Sequence, residues 1–492
     1  MRRMHRSKIG FWRVAIVALA VAALARTNAP AATNWKQMIV RCAPEDLDQI
    51  RNSVGAAVLD ALPGYFLITV PSTVDATTIE AIHGQGQIEA SDDSTVAFPR
   101  KGATTSSATS STPTTSLPPL GSLTDWYGTP ARQGYTTQAV VSKIKLLDAF
   151  QDTTGSGARV ALIDTGVDLG HPTLQGVFDG GKSYVGYNSI PSFLNDTALP
   201  QLSQSASDFL QQSASDFLQQ SASDFLQQSA SDFLQQSASD FLQQSASDFL
   251  QQSASDFLQA SKSGVFVSQG QSNTLAGTTL PAFISHGTMM AGLIHLVAPH
   301  ARIVPFAAFH ADGAADEWNI IRAIYDAISA HVDVINMSFE TGTADKLMQD
   351  AIQDAISHGI VVSASAGNDG ADILTYPGSF PGVVRVAAVR DDNDQKADFS
   401  NFGFDIGVSA TGTRLISTWP GGHWGLVSGT SPAAAVVSGE LALLASQKPG
   451  PGMLNRQILE NRIDSINWPI LYQNKLGKGR IDAGKAVNGP GK

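Results

Sequence analysis

Three short motifs, spread along a chain of 492 residues, hold residue types that can build an activated nucleophile. They are Val160-Ala-Leu-Ile-Asp164-Thr-Gly166, Ser285-His286-Gly-Thr288 and Ser428-Gly-Thr-Ser431. A serine hydroxyl is a poor nucleophile at neutral pH. It needs a base within hydrogen-bond reach, and that base needs a third group to fix its tautomer and stabilise the imidazolium. Ser431, His286 and Asp164 can fill these roles. The chemistry they imply is acyl transfer to a serine, as in peptide-bond hydrolysis. Each motif alone is weak, because Gly-Thr-Ser is common and a lone histidine is more often structural. The signal lies in the three together, in the order Asp, His, Ser.

A developing oxyanion needs donors already in place. The pattern predicts an apolar helix over Ser431–Ser446. The Ser431 N–H would then point out at the positive end of that helix. Pro432 falls where a missing N–H costs nothing. A second donor could be the side chain of Asn368 in Ala364-Ser-Ala-Gly-Asn368. The same residue could equally be a turn asparagine after a strand, and spacing leaves both readings open. His171, which precedes Pro172, reads as a turn residue. His295, His300, His310, His331, His358 and His423 show no paired metal-ligand spacing. Asp391-Asp-Asn-Asp394 reads as a solvated turn, since it lacks the ligand spacing of a calcium loop. There is no phosphate-binding or dinucleotide fingerprint.

The elements that must position these residues are legible as alternation. Strands are predicted over Arg159–Ile163, Arg302–Ala307, Val332–Asn336, Ile360–Ser365 and Val383–Val389. Helices are predicted over His286–Leu296, Asp316–Ala330 and Ala344–His358, the last ending at a C′ Gly359. Apolar strands separated by helices imply an α/β fold, a parallel doubly wound sheet with helices on both faces. Ligands in such folds sit at the carboxyl ends of strands, where Asp164 and Asn368 would lie.

The remaining chain divides by composition. Residues 1–31 have five basic residues before the apolar run Val14–Ala25, then Ala23-Leu-Ala25 and Ala29-Pro-Ala31, the layout of a secretory signal peptide. Twelve apolar residues are short of the roughly 20 that span a bilayer. Residues 34–99 read as a small α+β unit, with strands at Met38–Arg41, Tyr65–Val70 and within Ile88–Phe98 and helices at Pro44–Ile50 and Thr73–Ile82. Residues 100–121 form a Ser/Thr/Pro-rich linker without apolar periodicity. Gln204–Gln259 is seven identical copies of Gln-Ser-Ala-Ser-Asp-Phe-Leu-Gln. Each copy turns a helical face by about 80°, so no fixed face forms. The tract reads as an expanded surface loop inserted in a catalytic domain over 138–490. Seven acidic charges sit in the repeat; without them the net charge of −11 becomes −4, which does not suggest nucleic acid as a partner. The single Cys42 excludes an intramolecular disulfide.

With these residues in hand, the chain resembles the subtilisin-like serine peptidases over roughly 138–487. The resemblance rests on Asp164-Thr-Gly-Val-Asp168, His171-Pro172, His286-Gly-Thr-Met-Met-Ala-Gly292, Val334-Ile-Asn-Met-Ser338, Ala366-Gly-Asn368, Ser428-Gly-Thr-Ser431-Pro-Ala-Ala434 and Gly477-Lys-Gly-Arg-Ile-Asp-Ala483. The Asp, His, Ser chain order is also the one found in that group. The resemblance implies a triad of Asp164, His286 and Ser431, with an oxyanion hole from Asn368 and Ser431. Ser338, Phe339 and Glu340 would bind substrate backbone beside the specificity pocket by β-augmentation. It also implies a ferredoxin-like propeptide at 34–99, an intramolecular inhibitor cut off at maturation. The expected protein is a secreted serine endopeptidase made as a zymogen, acting on proteins or peptides, with no stable membrane anchor. No cofactor is required for this chemistry; a structural calcium is compatible, but no motif locates one. Three departures stand out: Pro432, Ala435 and Val436 at the nucleophile helix, Thr411 in place of a proline, and Glu340 where the family commonly has glycine. Glu340 would either favour a basic residue before the scissile bond or obstruct the pocket. Two alternatives remain: a sedolisin-type hydrolase, which would need glutamate in place of His286, and a catalytically silent binding protein that works through its repeats.

Overall fold

The parallel sheet that positions the site follows from strands whose two faces are both apolar, as in Arg159–Asp164, Val334–Met337 and Val384–Val389. The structure, a computed structural model, describes residues 35–82, 88–97, 120–185, 284–310, 313–447 and 470–488, with the backbone of short strands at 265–267, 274–275, 278–279 and 463–465. The leader, the repeat tract and nearly all of the linker lie outside the described residues. The chain divides into two units, Met1–Ser94 and Thr95–Lys492.

In the larger unit a nine-stranded sheet has Val361–Ser365, Val334–Met337, Arg159–Asp164 and Arg302–Ala307 at adjacent central positions, all parallel. Val384–Val389 and Val408–Thr411 continue it on the Val361–Ser365 side. Alternate strand residues divide between two cores. Val160, Leu162, Val334, Val361, Val384 and Val386 join the helices His286–Val297 and Thr430–Ser446 in one cluster. Their neighbours Ala161, Ile163, Ile335, Met337, Val362 and Ala364 are buried on the other face. There the helices Glu317–Ser329 and Lys346–Ser357 pack on each other and on the sheet. Helix Thr430–Ser446 is apolar nearly all round and buried from Thr430 to Leu444, as a core helix must be. The α/β class read from the sequence is the observed one.

Local chemistry sets the boundaries. Asp345 accepts from the Leu347 and Met348 N–H groups and starts its helix one residue later, at Lys346. Gly359, at φ +82°, ends it in the left-handed conformation. The strands Val408–Thr411, Leu415–Trp419 and His423–Val427 escaped the sequence reading. They are short and carry buried hydroxyls, so no period of two shows. Three of those hydroxyls are satisfied by backbone carbonyls, Ser409 by Leu476, Ser417 by Met289 and Thr418 by Thr288, while the Thr411 hydroxyl is buried without a partner.

The smaller unit runs strand, helix, strand, strand, helix, strand, with its sheet ordered Ala57–Leu62, Tyr65–Pro71, Trp35–Arg41, Glu89–Asp92 and every pairing antiparallel. That is the ferredoxin-like layout. Met38, Val40, Ile50, Phe66, Ile68, Val70 and Ile79 form its core. Ala57–Leu62 was not foreseen; it is an edge strand with a register shift between Val58 and Asp60, which blurs its alternation. The segment read as Ile88–Phe98 holds two strands, and the second, Thr95–Ala97, pairs antiparallel with Ala314–Asp316 of the larger unit to which it belongs.

Candidate active site

Asp164 is the last residue of a central strand, and His286 is the first residue of the helix that packs beside it. Gly287 is what lets them meet. A Cβ there would stand 2.1 Å from the Gly166 carbonyl oxygen and 3.1 Å from Asp164 Oδ1, so any side chain would push the helix away. His286 Nδ1 lies 2.9 Å from both Asp164 oxygens. Asp164 Oδ1 also accepts from the Thr165 N–H at 2.7 Å, and the Thr165 hydroxyl accepts from the Gly287 N–H. An acceptor-only carboxylate against Nδ1 fixes the proton there, so the neutral ring keeps its lone pair on Nε2, the tautomer a general base needs.

Ser431 is the second residue of its helix and is 5% exposed. Its hydroxyl donates to the Ser338 carbonyl at 2.9 Å. Attack on a substrate therefore requires this proton to be redirected to the base. A buried polar chain holds the nucleophile's backbone: Ser438 donates to Asn336 Oδ1, Asn336 Nδ2 donates to the Ser338 hydroxyl, and that hydroxyl donates to the Ser431 carbonyl. Asn336 and Ser438 were missed as site residues. An asparagine inside the apolar run Val-Ile-Asn-Met was the available signal, since a buried amide must be hydrogen-bonded.

Asn368 follows the Val361–Ser365 strand by three residues. Its Oδ1 accepts from both the N–H and the hydroxyl of Thr430 at 2.9 Å, which turns the amide nitrogen outward. A Cβ built on Gly429 would stand 3.3 Å from Pro432 Cδ, 3.7 Å from Asn368 Nδ2 and 3.8 Å from the Ser431 nitrogen. The two nitrogens thus border one position beside Gly429, with the Pro432 ring at its edge, and two donors so placed could serve an oxyanion. Pro432, one of the departures, sits inside the first turn and takes no donor from this space.

The substrate-side residues differ among themselves. Ser338 contributes both oxygens to the network above. Phe339 packs its ring on Phe309 in the core, fully buried, and its carbonyl accepts from Ser365, so any role for it is confined to the backbone. Glu340 turns its carboxylate toward Gly367. The histidine outside this cluster that merits mention is His171: its Nδ1 accepts from the Thr173 N–H and its Nε2 donates to the His423 carbonyl, a capping role at a turn. Asp391–Asp394 spends its charges on Arg390, Lys143 and Arg480. No cluster of metal-ligating side chains is present among the described residues.

Residues 155–475 match the model of the subtilase family. The chain belongs to the subtilase family. Subtilisin E of Bacillus subtilis (strain 168) is 36% identical over 216 residues, covering 41% of this chain and 56% of that protein. The thermostable alkaline protease of Halalkalibacterium halodurans is 33% identical over 212 residues, covering 41% and 57%. The chain thus spans a little over half the length of these relatives. Fervidolysin from Fervidobacterium pennivorans, a keratinolytic enzyme related to subtilisin, superposes with a TM-score of 0.57 at 18% identity, over 94% of this chain and 62% of that one. That likeness speaks to the subtilase fold.

Proposed function

We propose that this subtilase is a serine endopeptidase that cleaves peptide bonds through an acyl-enzyme on Ser431. The observation that supports this reading is the His286–Asp164 hydrogen bond at the end of one strand, with the Ser431 hydroxyl bonded to Ser338 just past the end of the neighbouring one. His286 Nε2 takes the Ser431 proton as the oxygen attacks, and Asp164 stabilises the imidazolium that forms. Asn368 Nδ2 and the Ser431 N–H hold the oxyanion. His286 then gives its proton to the leaving amine, and water repeats the sequence to release the acid. The residues need no metal or cofactor for these steps.

The chain is further proposed to be exported and self-inhibited. Export rests on the leader pattern at 1–31. Inhibition is supported by the Thr95–Ala97 strand, which adds to Ala314–Asp316 in the way an extended peptide augments a sheet edge. The Ala314 carbonyl accepts from the N–H of His310, just past the strand that pairs with Asp164's own, so this strand lies at the same end of the sheet as the triad. Cleavage shortly after Ala97 would release the small unit. In the experiment that tests this, the full chain is expressed with its leader, and the secreted product is analysed by mass and N-terminal sequencing. Native protein should begin beyond residue 97, while Ser431→Ala should keep residues 34–99. A native product that keeps them, and that cleaves no peptide, would favour the silent binding protein.

A further inference from the structure

The residue that precedes a scissile bond places its carbonyl oxygen between Asn368 Nδ2 and the Ser431 N–H. The Ser338–Thr341 and Ala366–Asp369 segments follow adjacent strands next to these groups, and Glu340 stands where they meet, its carboxylate against Gly367. Two residues before it, the Ser338 carbonyl receives the Ser431 hydroxyl. One residue after it, Thr341 pins the segment to Tyr376 by a pair of backbone hydrogen bonds of 2.7 and 2.9 Å. A Cβ on Gly367, the neighbour of Asn368, would stand 2.1 Å from Glu340 Oε2, and Gly367 has φ +99°. The glycine therefore makes the room in which the carboxylate sits.

The charges around this carboxylate do not balance. Arg385, on the Val384–Val389 strand, is fully buried and bidentate to Asp405 at 2.7 Å. It also donates to the Ala366 and Ile373 carbonyls and to Thr375. Its charge is matched before Glu340 is counted. Asp369, on the loop after the Val361–Ser365 strand, accepts from Asn401 and adds a further negative charge. The Thr375 hydroxyl is shared between the Ala366 carbonyl and the Glu340 carboxylate, and the Arg385 guanidinium donates to it. Glu340 Oε2 is cut off from solvent with no hydrogen-bond partner. Burial first, and Asp369 second, push the Glu340 carboxyl up to about 7, with Arg385, the Thr375 hydroxyl and the Asn368 N–H acting the other way. A buried carboxylate oxygen without a donor takes either a proton or a cation.

We propose that Glu340 selects the residue before the scissile bond, taking lysine or arginine when it is ionised and admitting uncharged side chains when it is protonated. The inference rests on the endopeptidase reading and adds to it a substrate class and a choice made by pH. The test uses two peptides that differ only in lysine or leucine at that position. Their kcat/KM values are measured from about pH 5.5 to 8.5 on the mature protein. Because both peptides depend equally on His286, the ratio of the two values removes its titration. The lysine-to-leucine ratio should rise about tenfold or more, the scale of one charge-assisted hydrogen bond, with a midpoint near 7. In Glu340→Gln the ratio should stay flat, near its low-pH value in the native protein. A flat ratio in the native protein, or the same rise in Glu340→Gln, overturns the proposal while both peptides are still cleaved. A protein that cleaves neither peptide and takes no serine-directed label contradicts the endopeptidase reading as well.

Discussion

The segments around Ser431, the nucleophile wall, and those around Glu340, the Glu340 wall, are built on different rules. On the nucleophile wall each reacting group is tied to a neighbour. Asp164 is held by His286 and Thr165, Ser431 by Ser338, Asn368 by Thr430, and Ser338 in turn by Asn336. On the Glu340 wall Arg385 and Asp405 are locked together, but one of the two Glu340 oxygens, Oε2, has no hydrogen-bond partner. The difference separates two tasks. Chemistry that repeats at every turnover needs donors and acceptors fixed in advance. Selection of a substrate can leave one group unsatisfied, so that the right partner satisfies it and the wrong one does not.

Breaking the nucleophile wall should give the largest effect. Ser431→Ala should lower kcat roughly 10⁶-fold, the scale known for a subtilisin without its nucleophile, in a peptide assay on mature protein. Breaking the locked pair on the other wall should show in stability instead. Arg385→Met removes the charge partner of Asp405 and a donor from the Ala366 and Ile373 carbonyls, and should cost about 3–5 kcal/mol in denaturant unfolding. Asn368→Ala removes one oxyanion donor. It should lower kcat about 10²- to 10³-fold with little change in KM, which separates a transition-state contact from a binding one.

The unsatisfied group gives a smaller effect whose sign is set by linkage. The Glu340 carboxyl is raised from 4.5 to about 7 in the fold, so the native state holds a proton that the unfolded chain releases in that interval. Stability therefore falls as pH rises through the window. Glu340→Gln cannot ionise and should not share this fall. Its melting temperature should gain on the native protein above about pH 4.5, with the gain complete above about pH 7. The smallest change is expected for Thr430→Val. It loses one of Thr430's two hydrogen bonds to Asn368 and the acceptor of the Gly367 N–H, each worth about 0.5–1.5 kcal/mol, and should lower kcat only a few-fold.

The same contrast governs what could be read from the sequence. The strand ending at Asp164 and the helix beginning at His286 follow from apolar periodicity, and the proposed triad was suggested by residue types in sequence order. Asn368 was left open by spacing alone, because its role depends on Thr430, 62 positions away. The chain Ser438, Asn336, Ser338 joins residues up to 102 positions apart and has no linear pattern. Glu340 was noticed as a departure from a family pattern. Its environment was not legible, because Gly367, Asp369 and Arg385 come from other segments of the fold. Likewise the strands around Ser409, Ser417 and Thr418 were hidden by buried hydroxyls that only tertiary partners satisfy.

The central claim is that Ser431 is a nucleophile activated by His286. Its most direct test is labelling of the secreted, mature protein with a serine-directed phosphonate, with the modified residue located by peptide mass mapping. A single adduct on Ser431 is expected, absent in Ser431→Ala and formed far more slowly in His286→Ala. A native protein that is folded and free of residues 34–99 yet takes no label, or that is labelled equally fast without His286, would contradict it.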